Sequence, residues 1–314
     1  MALTTITDVT VGEMMAGRAA KKRRLRLVKL GLLFISPWIV GFLVFTLYPF
    51  VMTLYYSFTN FTGVSAAKWV GLKNYAGLMN DHLFWVSLWN TGFYTVLEVP
   101  FSTVVAIGFA MLLNMKVRGM SFYRTALYIP TVVPLVASSV LWLWLFNPSL
   151  GIVNEALGLL HIPGPSWMFS QYWSKPTFIL MGVWAVGAPM VIYLAALQGV
   201  PQEMYEVASL EGAGFLQRLR YVTLPMISPA ILFNVVLALV ASLQYFTQAF
   251  VMTQGGPDNS TLFYSLYLYR QAFDYLHLGY ASAMAWLLFV LVVAITILLF
   301  RSSSRWVYYA NESQ

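Results

Sequence analysis

The sequence predicts an all-α polytopic membrane protein: about six transmembrane helices with a cytoplasmic two-helix loop. Three observations carry that expectation. Of 314 residues, 60% are hydrophobic and 9% charged, whereas a soluble domain carries about 25% charged residues. Six runs are each long and apolar enough to cross a bilayer, which takes about 20 residues. The basic residues are shared unevenly among the segments between those runs.

In order, the runs cover residues 28–56, 91–113, 123–146, 177–197, 227–252 and 278–300. Pro37, Pro49, Pro100, Pro130, Pro134 and Pro189 fall within them. In a bundle, neighbouring groups satisfy the carbonyls that proline frees, so kinks are tolerated. Lys and Arg set the orientation. With the N-terminus inside, the inner side holds Arg18, Lys21, Lys22, Arg23, Arg24, Arg26 and Lys29 before and within the first run. It also holds Lys116, Arg118, Arg124, Arg218, Arg220, Arg301 and Arg305, which makes 14 of the 18 basic residues. Lys68, Lys73, Lys175 and Arg270 stay outside. This bias accounts for the formal charge of +7, so the charge is not read as a nucleic-acid patch.

The basic run before residue 28 looks like a signal-peptide n-region. The apolar stretch after it is too long for an h-region, and no A-x-A site follows, so it reads as an uncleaved anchor. The expected organisation is a cytoplasmic N-terminal tail at 1–27, poorly ordered before Arg18, a membrane domain at 28–301 and a cytoplasmic C-terminal tail at 302–314. The absence of cysteine excludes disulfides and thiolate metal sites. His82, His161 and His277 show no metal-ligand spacing, so no metal or cofactor is expected. No G-x-x-x-x-G-K-[ST] loop is present, and no nucleophile–base constellation marks an enzyme.

Between the fourth and fifth runs lies a polar segment at 200–226, in which residues 206–225 read EVASLEGAGFLQRLRYVTLP. A short helix is expected over 202–211, with Pro201 suited to its first turn and Glu203 and Glu206 near its positive end. Gly212 and Gly214 allow a sharp turn. A second short helix follows over 215–221, and Pro225 marks the return to the membrane. The product is a stiff helical knob on the cytoplasmic side.

This pattern resembles the EAA loop of ABC-importer permeases: E-A-A, three residues, Gly, nine residues, Ile, one residue, Leu-Pro. Glu206, Val207, Ala208, Gly212, Val222, Leu224 and Pro225 occupy those places. Val207 and Val222 depart conservatively. Further stretches are similar to the sugar-type branch of that family. They are Val70-Gly-Leu-Lys-Asn-Tyr75, Asn90-Thr91, the F-x-R-x-x-x-Y-x-P of Phe122 to Pro130 and the G-x-x-N of Gly151 to Asn154. Thr253-Gln-Gly-Gly-Pro257 with Thr261, Tyr269-Arg270 with Ala272-Phe273, and the tail motif Trp306 to Tyr309 complete the series. The tail is similar to that of first permeases of the lactose, glycerol-phosphate and oligosaccharide kind.

The resemblance implies a type I ABC importer permease in a bacterial inner membrane, with both termini cytoplasmic. It implies a second homologous permease subunit, two copies of a cytoplasmic ATPase, an extracytoplasmic solute-binding protein and a small sugar as cargo. Glu206, Ala208, Gly212, Ala213, Leu224 and Pro225 would then form the ATPase-coupling element.

The pathway residues are read from the spans themselves. Glu98 is the one acid placed within a run, and ionisable residues there are costly and often functional. Asn234, Gln244, Tyr245, Thr247 and Gln248 lie on the fifth run. Gln244 and Gln248 stand at i, i+4 and so share a helix face. Amides bond sugar hydroxyls and rings stack on their C–H faces, but Asn and Gln also join membrane helices. Trp184 and Tyr193 are weaker pathway candidates. The alternative is an ion-coupled secondary carrier, which calls for coupling acids and internal repeats. Glu98 alone fits that pattern, and no repeat is evident. A channel with paired Asn-Pro-Ala boxes is disfavoured, because only Asn147-Pro-Ser149 approaches one.

Overall fold

The computed structural model describes residues 27–115 and 117–308. Expectations about the N-terminal tail, Lys116 and the last six residues lie outside it. The described residues are helical apart from loops and one isolated bridge between Thr59 and Trp69. Four helices are long and apolar enough to cross a membrane: α1 (Leu27–Ser57), α3 (His82–Leu113), Ser228–Met252, which comprises α11 (Ser228–Leu243) and α12 (Thr247–Met252), and α14 (Leu278–Ser303). Two bent pairs supply the others: α4 (Met120–Val132) with α5 (Leu135–Leu145), and α7 (Ser174–Trp184) with α8 (Gly187–Gln198). Short helices α2 (Lys73–Met79), α6 (Ile152–Leu159), α9 (Gln202–Leu210), α10 (Phe215–Arg218) and α13 (Tyr264–Tyr269) fill the connections.

Two expectations need correction. The second span begins at His82, not Thr91, because the Asp81 carboxylate caps the helix by accepting from the Leu83 amide at 2.9 Å. The third span is not one rod. It breaks between Val132 and Leu135 with a 101° bend, since Pro130 and Pro134 each lack an N–H and crowd the preceding turn.

The chain divides into two units, residues 1–56 and 57–314. The described part of the first is α1 up to Tyr56. Its Leu43–Leu47 segment widens into a π turn just ahead of Pro49, whose ring would otherwise clash with the carbonyl four residues back.

In the second unit α3 is the central post and packs chiefly against α8, α11 and α7. Its first half enters a core of Phe84, Tyr94, Phe178, Phe263, Tyr264 and Met284. Its second half enters another, of Ala106, Ile107, Ala110, Met190, Tyr193 and Ile227. Hydrocarbon lipid leaves little hydrophobic drive between helices, so small residues that permit close approach matter most. Ala106 and Ala110 are fully buried.

Polar bonds lace the Asp81 end of this unit, and they explain several motifs. Asn90 donates to the carbonyls of Asn259 (2.8 Å) and Leu262 (3.1 Å) and accepts from Lys175 Nζ at 2.9 Å. Thr91 Oγ1 accepts from the Tyr264 amide at 2.8 Å. The Asn-Thr pair therefore holds the Gly-Gly-Pro loop in place. Asn74 donates to the carbonyls of Ser57 and Thr59, both at 2.8 Å, and Asn154 accepts from Trp167 Nε1 at 2.6 Å. Asp81 also accepts from Tyr267 (2.5 Å) and Tyr280 (2.6 Å). Burial alone would raise its pKa, but these bonds and the Leu83 amide outweigh burial and hold it below the usual value.

Candidate functional site

Two sites follow from this frame. The first is a cavity of about 350 Å³ in the middle of the second unit. It opens where α3 passes from one core to the other. Tyr94, Glu98 and Ser102, one helical turn apart, present one face of α3 to it. Two breaks in neighbouring helices face the same space. Gly182, Val186 and Pro189 come from the 48° bend between α7 and α8. Gln244, Tyr245, Thr247 and Gln248 come from the break between α11 and α12. Irregular backbone at membrane depth is tolerated where it lines a cavity, and broken spans are where transporters commonly place their cargo sites.

Glu98 is half-buried and packs against Gly182. A Cβ at Gly182 would lie 2.9 Å from Glu98 Oε1. Tyr94 and Tyr245 meet with ring centroids 4.5 Å apart, and Phe178 and Phe263 back Tyr245. The cavity thus combines amides, hydroxyls, an acid and aromatic faces, with no basic side chain in its lining.

Glu98, Gln244, Tyr245 and Gln248 are brought together here, but not as the spacing implied. Gln244 ends α11, and the chain is non-helical at Tyr245 and Phe246. The shared helix face is therefore absent, and the two glutamines meet the cavity across a break. Asn234 lies elsewhere: it is buried on α11 and donates to the Ala230 carbonyl at 3.0 Å. Tyr193 is fully buried in the second core, and Trp184 packs edge-on against Trp142. Ser102 and Gly182 line the cavity without having been singled out. The serine is four residues past Glu98 on a helical face, a signal available beforehand, whereas the glycine has no such mark.

The second site is the knob. α9 spans Gln202–Leu210 and α10 spans Phe215–Arg218. Between them Gly212 adopts φ +77°, and the Ala213 amide closes α9 on the Ala208 carbonyl at 2.9 Å, an arrangement glycine permits at little cost. Gln217 Oε1 accepts from the Gly214 amide at 2.8 Å and Ser209 Oγ from Arg218 Nη1 at 3.2 Å. Tyr205 and Thr223 share a hydroxyl–hydroxyl bond of 3.2 Å. The helix that starts at Phe215 runs on past Tyr221, as a π turn over Leu219–Thr223 and then Leu224–Met226, which takes in Pro225. Tyr205, Ala208 and Leu224 pack against the core that holds Val222 and Ile227. The knob is therefore fastened both internally and to the bundle.

Of the residues expected to couple, Glu206 and Gly212 are exposed, while Ala208, Ala213, Leu224 and Pro225 are half-buried. A feature the motif did not mark is an uncovered apolar face. Val207 is 55% exposed, Leu210 89% and Phe215 65%. Met204, Leu216 and Tyr221 are exposed on the same small element as well.

The comparisons accord with this geometry. A family model described as the binding-protein-dependent transport system inner membrane component matches residues 99–312. The chain is 38% identical over 289 residues to the probable ABC transporter permease protein YesP of Bacillus subtilis, covering 90% of this chain and 93% of that protein. It is 35% identical over 277 residues to the lactose transport system permease protein LacF of Rhizobium radiobacter, covering 86% and 92%. It is 31% identical over 288 residues to the trehalose/maltose transport system permease protein MalF of Thermococcus litoralis, covering 90% and 96%. A solved bacterial ABC transporter involved in the import of the acidic polysaccharide alginate has a chain of the same fold, with TM-score 0.79 at 23% identity over 90% of this chain and 99% of that one. The family match spans the knob, the last four runs and the cavity lining apart from Tyr94 and Glu98, and with these relatives it means that the chain belongs to the family of binding-protein-dependent transport system inner membrane components.

Proposed function

We propose that the chain is one of two homologous permease subunits of an ATP-driven importer, and that its cargo is a carbohydrate or related polyol. The carrying observation is that one chain pairs a mid-span cavity, apolar with a few amide, hydroxyl and carboxyl groups set into it, with a stiff knob whose apolar side chains are uncovered. Gln244, Gln248, Ser102 and Glu98 offer hydrogen bonds suited to hydroxyls, and Tyr94 and Tyr245 offer rings suited to C–H faces. Relatives named for lactose and for trehalose/maltose support a sugar as cargo. The second permease supplies the rest of the pathway.

The knob is the seat of a cytoplasmic ATPase subunit, with one such subunit for each permease. Glu206, Val207, Leu210 and Gly212 face it, and Ala208, Ala213, Leu224 and Pro225 seat the knob on the bundle. Closure of the ATPase pair around ATP moves the knob, and α11, which continues from it, carries the displacement to the break at Gln244. The Lys and Arg bias supports a knob and both termini on the cytoplasmic side of a bacterial inner membrane. An extracytoplasmic binding protein then delivers cargo at the Asp81 end. The domain reading follows, with a permease domain over 28–301 between short tails. Family membership sets aside the ion-coupled carrier.

Reconstituted vesicles test this reading. The assembly of this chain with its partner permease, ATPase and binding protein is expected to accumulate sugar only with ATP inside the ATPase-bearing compartment. Accumulation by the purified chain alone under an ion gradient would overturn it.

A further inference from the structure

Two adjoining cavities lie between the last turns of α3 and the knob. The larger, about 610 Å³, is apolar. Val105, Phe109 and Leu112 of α3, with Met115 just past its C-cap, form one wall, and Phe215 and Leu219 form the other. The smaller, about 250 Å³, is mixed, with the polar Asn114, Tyr205, Arg218 and Thr223 beside Leu197 in its lining. Met111, Phe215 and Leu219 border both, so the two lie side by side along a shared wall. Their order along the chain is informative. Asn114 is the C-cap of α3, where the span ends, and the apolar part runs back along the span from there.

We infer that this bipartite groove holds an anionic phospholipid, its headgroup phosphate against Arg218 and one acyl chain along α3. The match is one of polarity and of charge. An acyl chain belongs at the depth of Val105 to Leu112 and a headgroup at the depth of Asn114. Neither lining includes an acid. Arg218 gives one bond to Ser209, and a guanidinium has five N–H donors with which to meet phosphate. The Asn114 amide and the Tyr205 and Thr223 hydroxyls add polar contacts. The C-terminal end of α3 carries negative dipole charge, but Arg124 Nη2 donates to the Leu113 carbonyl at 3.3 Å and offsets it. Gly108 leaves the groove open, since a Cβ there meets nothing within 4 Å.

A protein partner is the poorer occupant. The uncovered Val207 and Leu210 line neither cavity, so the face offered to a subunit and the groove offered to lipid meet only at Phe215. The lipid braces Phe215 and Leu219 against α3 and thereby sets the resting position of the knob. The inference needs only that the chain spans a membrane, and its test does not involve the ATPase.

Native mass spectrometry of the full-length chain released from detergent micelles provides that test, with phosphatidylglycerol or phosphatidylcholine added separately. The chain is expected to retain phosphatidylglycerol about five-fold more than phosphatidylcholine, the factor one interfacial arginine supplies. Arg218→Gln is expected to bring that ratio close to one. Arg220→Gln is expected to keep it, because Arg220 lies over the Tyr221 ring at 5.7 Å and lines neither cavity. Gly108→Leu, which fills the groove, is expected to reduce retention of both lipids. The inference is overturned by a chain without headgroup preference, by a preference that survives Arg218→Gln or disappears equally with Arg220→Gln, or by Gly108→Leu leaving retention intact.

Discussion

Gly212→Val is expected to separate ATP hydrolysis from uptake, with uptake falling by about tenfold or more while hydrolysis continues. Gly212 sits at φ +77° and has open space where a Cβ would go, so the penalty is one of backbone conformation and not of collision. A non-glycine residue in the left-handed region costs roughly 1–2 kcal/mol, and a β-branched one is the least suited to it. The chain escapes that cost by turning out of the left-handed well, which swings α10 away from α9 and splits the bare apolar face formed by Val207, Leu210 and Phe215. A loss of about 1.4 kcal/mol in the coupled step corresponds to tenfold in rate. Gly212→Asn is the control, because asparagine visits the same region more readily and is expected to keep most of the uptake. Both activities are measured on the same vesicles. A valine variant that transports at the parent rate would remove the knob from the mechanism.

Gly182→Leu is expected to close the pathway. The new Cβ falls 2.9 Å from Glu98 Oε1, so Glu98 has to move, and the rest of the side chain enters a cavity of only about 350 Å³. Overpacking of this kind costs about 1–3 kcal/mol, which corresponds to a drop of about 5- to 150-fold in uptake. Gly182→Ala adds the Cβ alone and is expected to give a smaller loss, since Glu98 can rotate away. Basal ATP hydrolysis and membrane insertion are expected to persist in both. Unimpaired uptake by the leucine variant would place the route elsewhere.

Much of this was legible from the chain because hydrocarbon imposes a coarse rule. Runs of about 20 apolar residues become spans, and the four spans without a sharp bend lie over the runs. The knob was equally legible, since Pro201, Gly212, Gly214 and Pro225 punctuate it by local backbone chemistry. What escaped depends on geometry between distant residues or on the sum of small local effects. Pro130 and Pro134 were visible, but the 101° bend they produce together was not. The spacing of Gln244 and Gln248 assumed a continuous helix, and the unwinding at Tyr245 and Phe246 defeats that assumption. Asn90 and Leu262 meet across 172 residues of sequence, a pairing that local pattern does not specify. Gly182 became part of the site only once Glu98 was seen against it.

The central claim is that the knob is held by an ATPase on the cytoplasmic side, and site-directed cross-linking tests it most directly. The chain has no cysteine, so Leu210→Cys in the otherwise unaltered protein gives a single reactive thiol on an apolar face that is bare in the isolated chain. Treated in intact membranes with a short thiol-reactive photocross-linker, this variant is expected to join to the nucleotide-hydrolysing subunit, with a yield that changes when ATP is added. Reaction of the same thiol with a membrane-impermeant reagent from outside the cell, or no adduct in an assembly that still transports, would contradict the account.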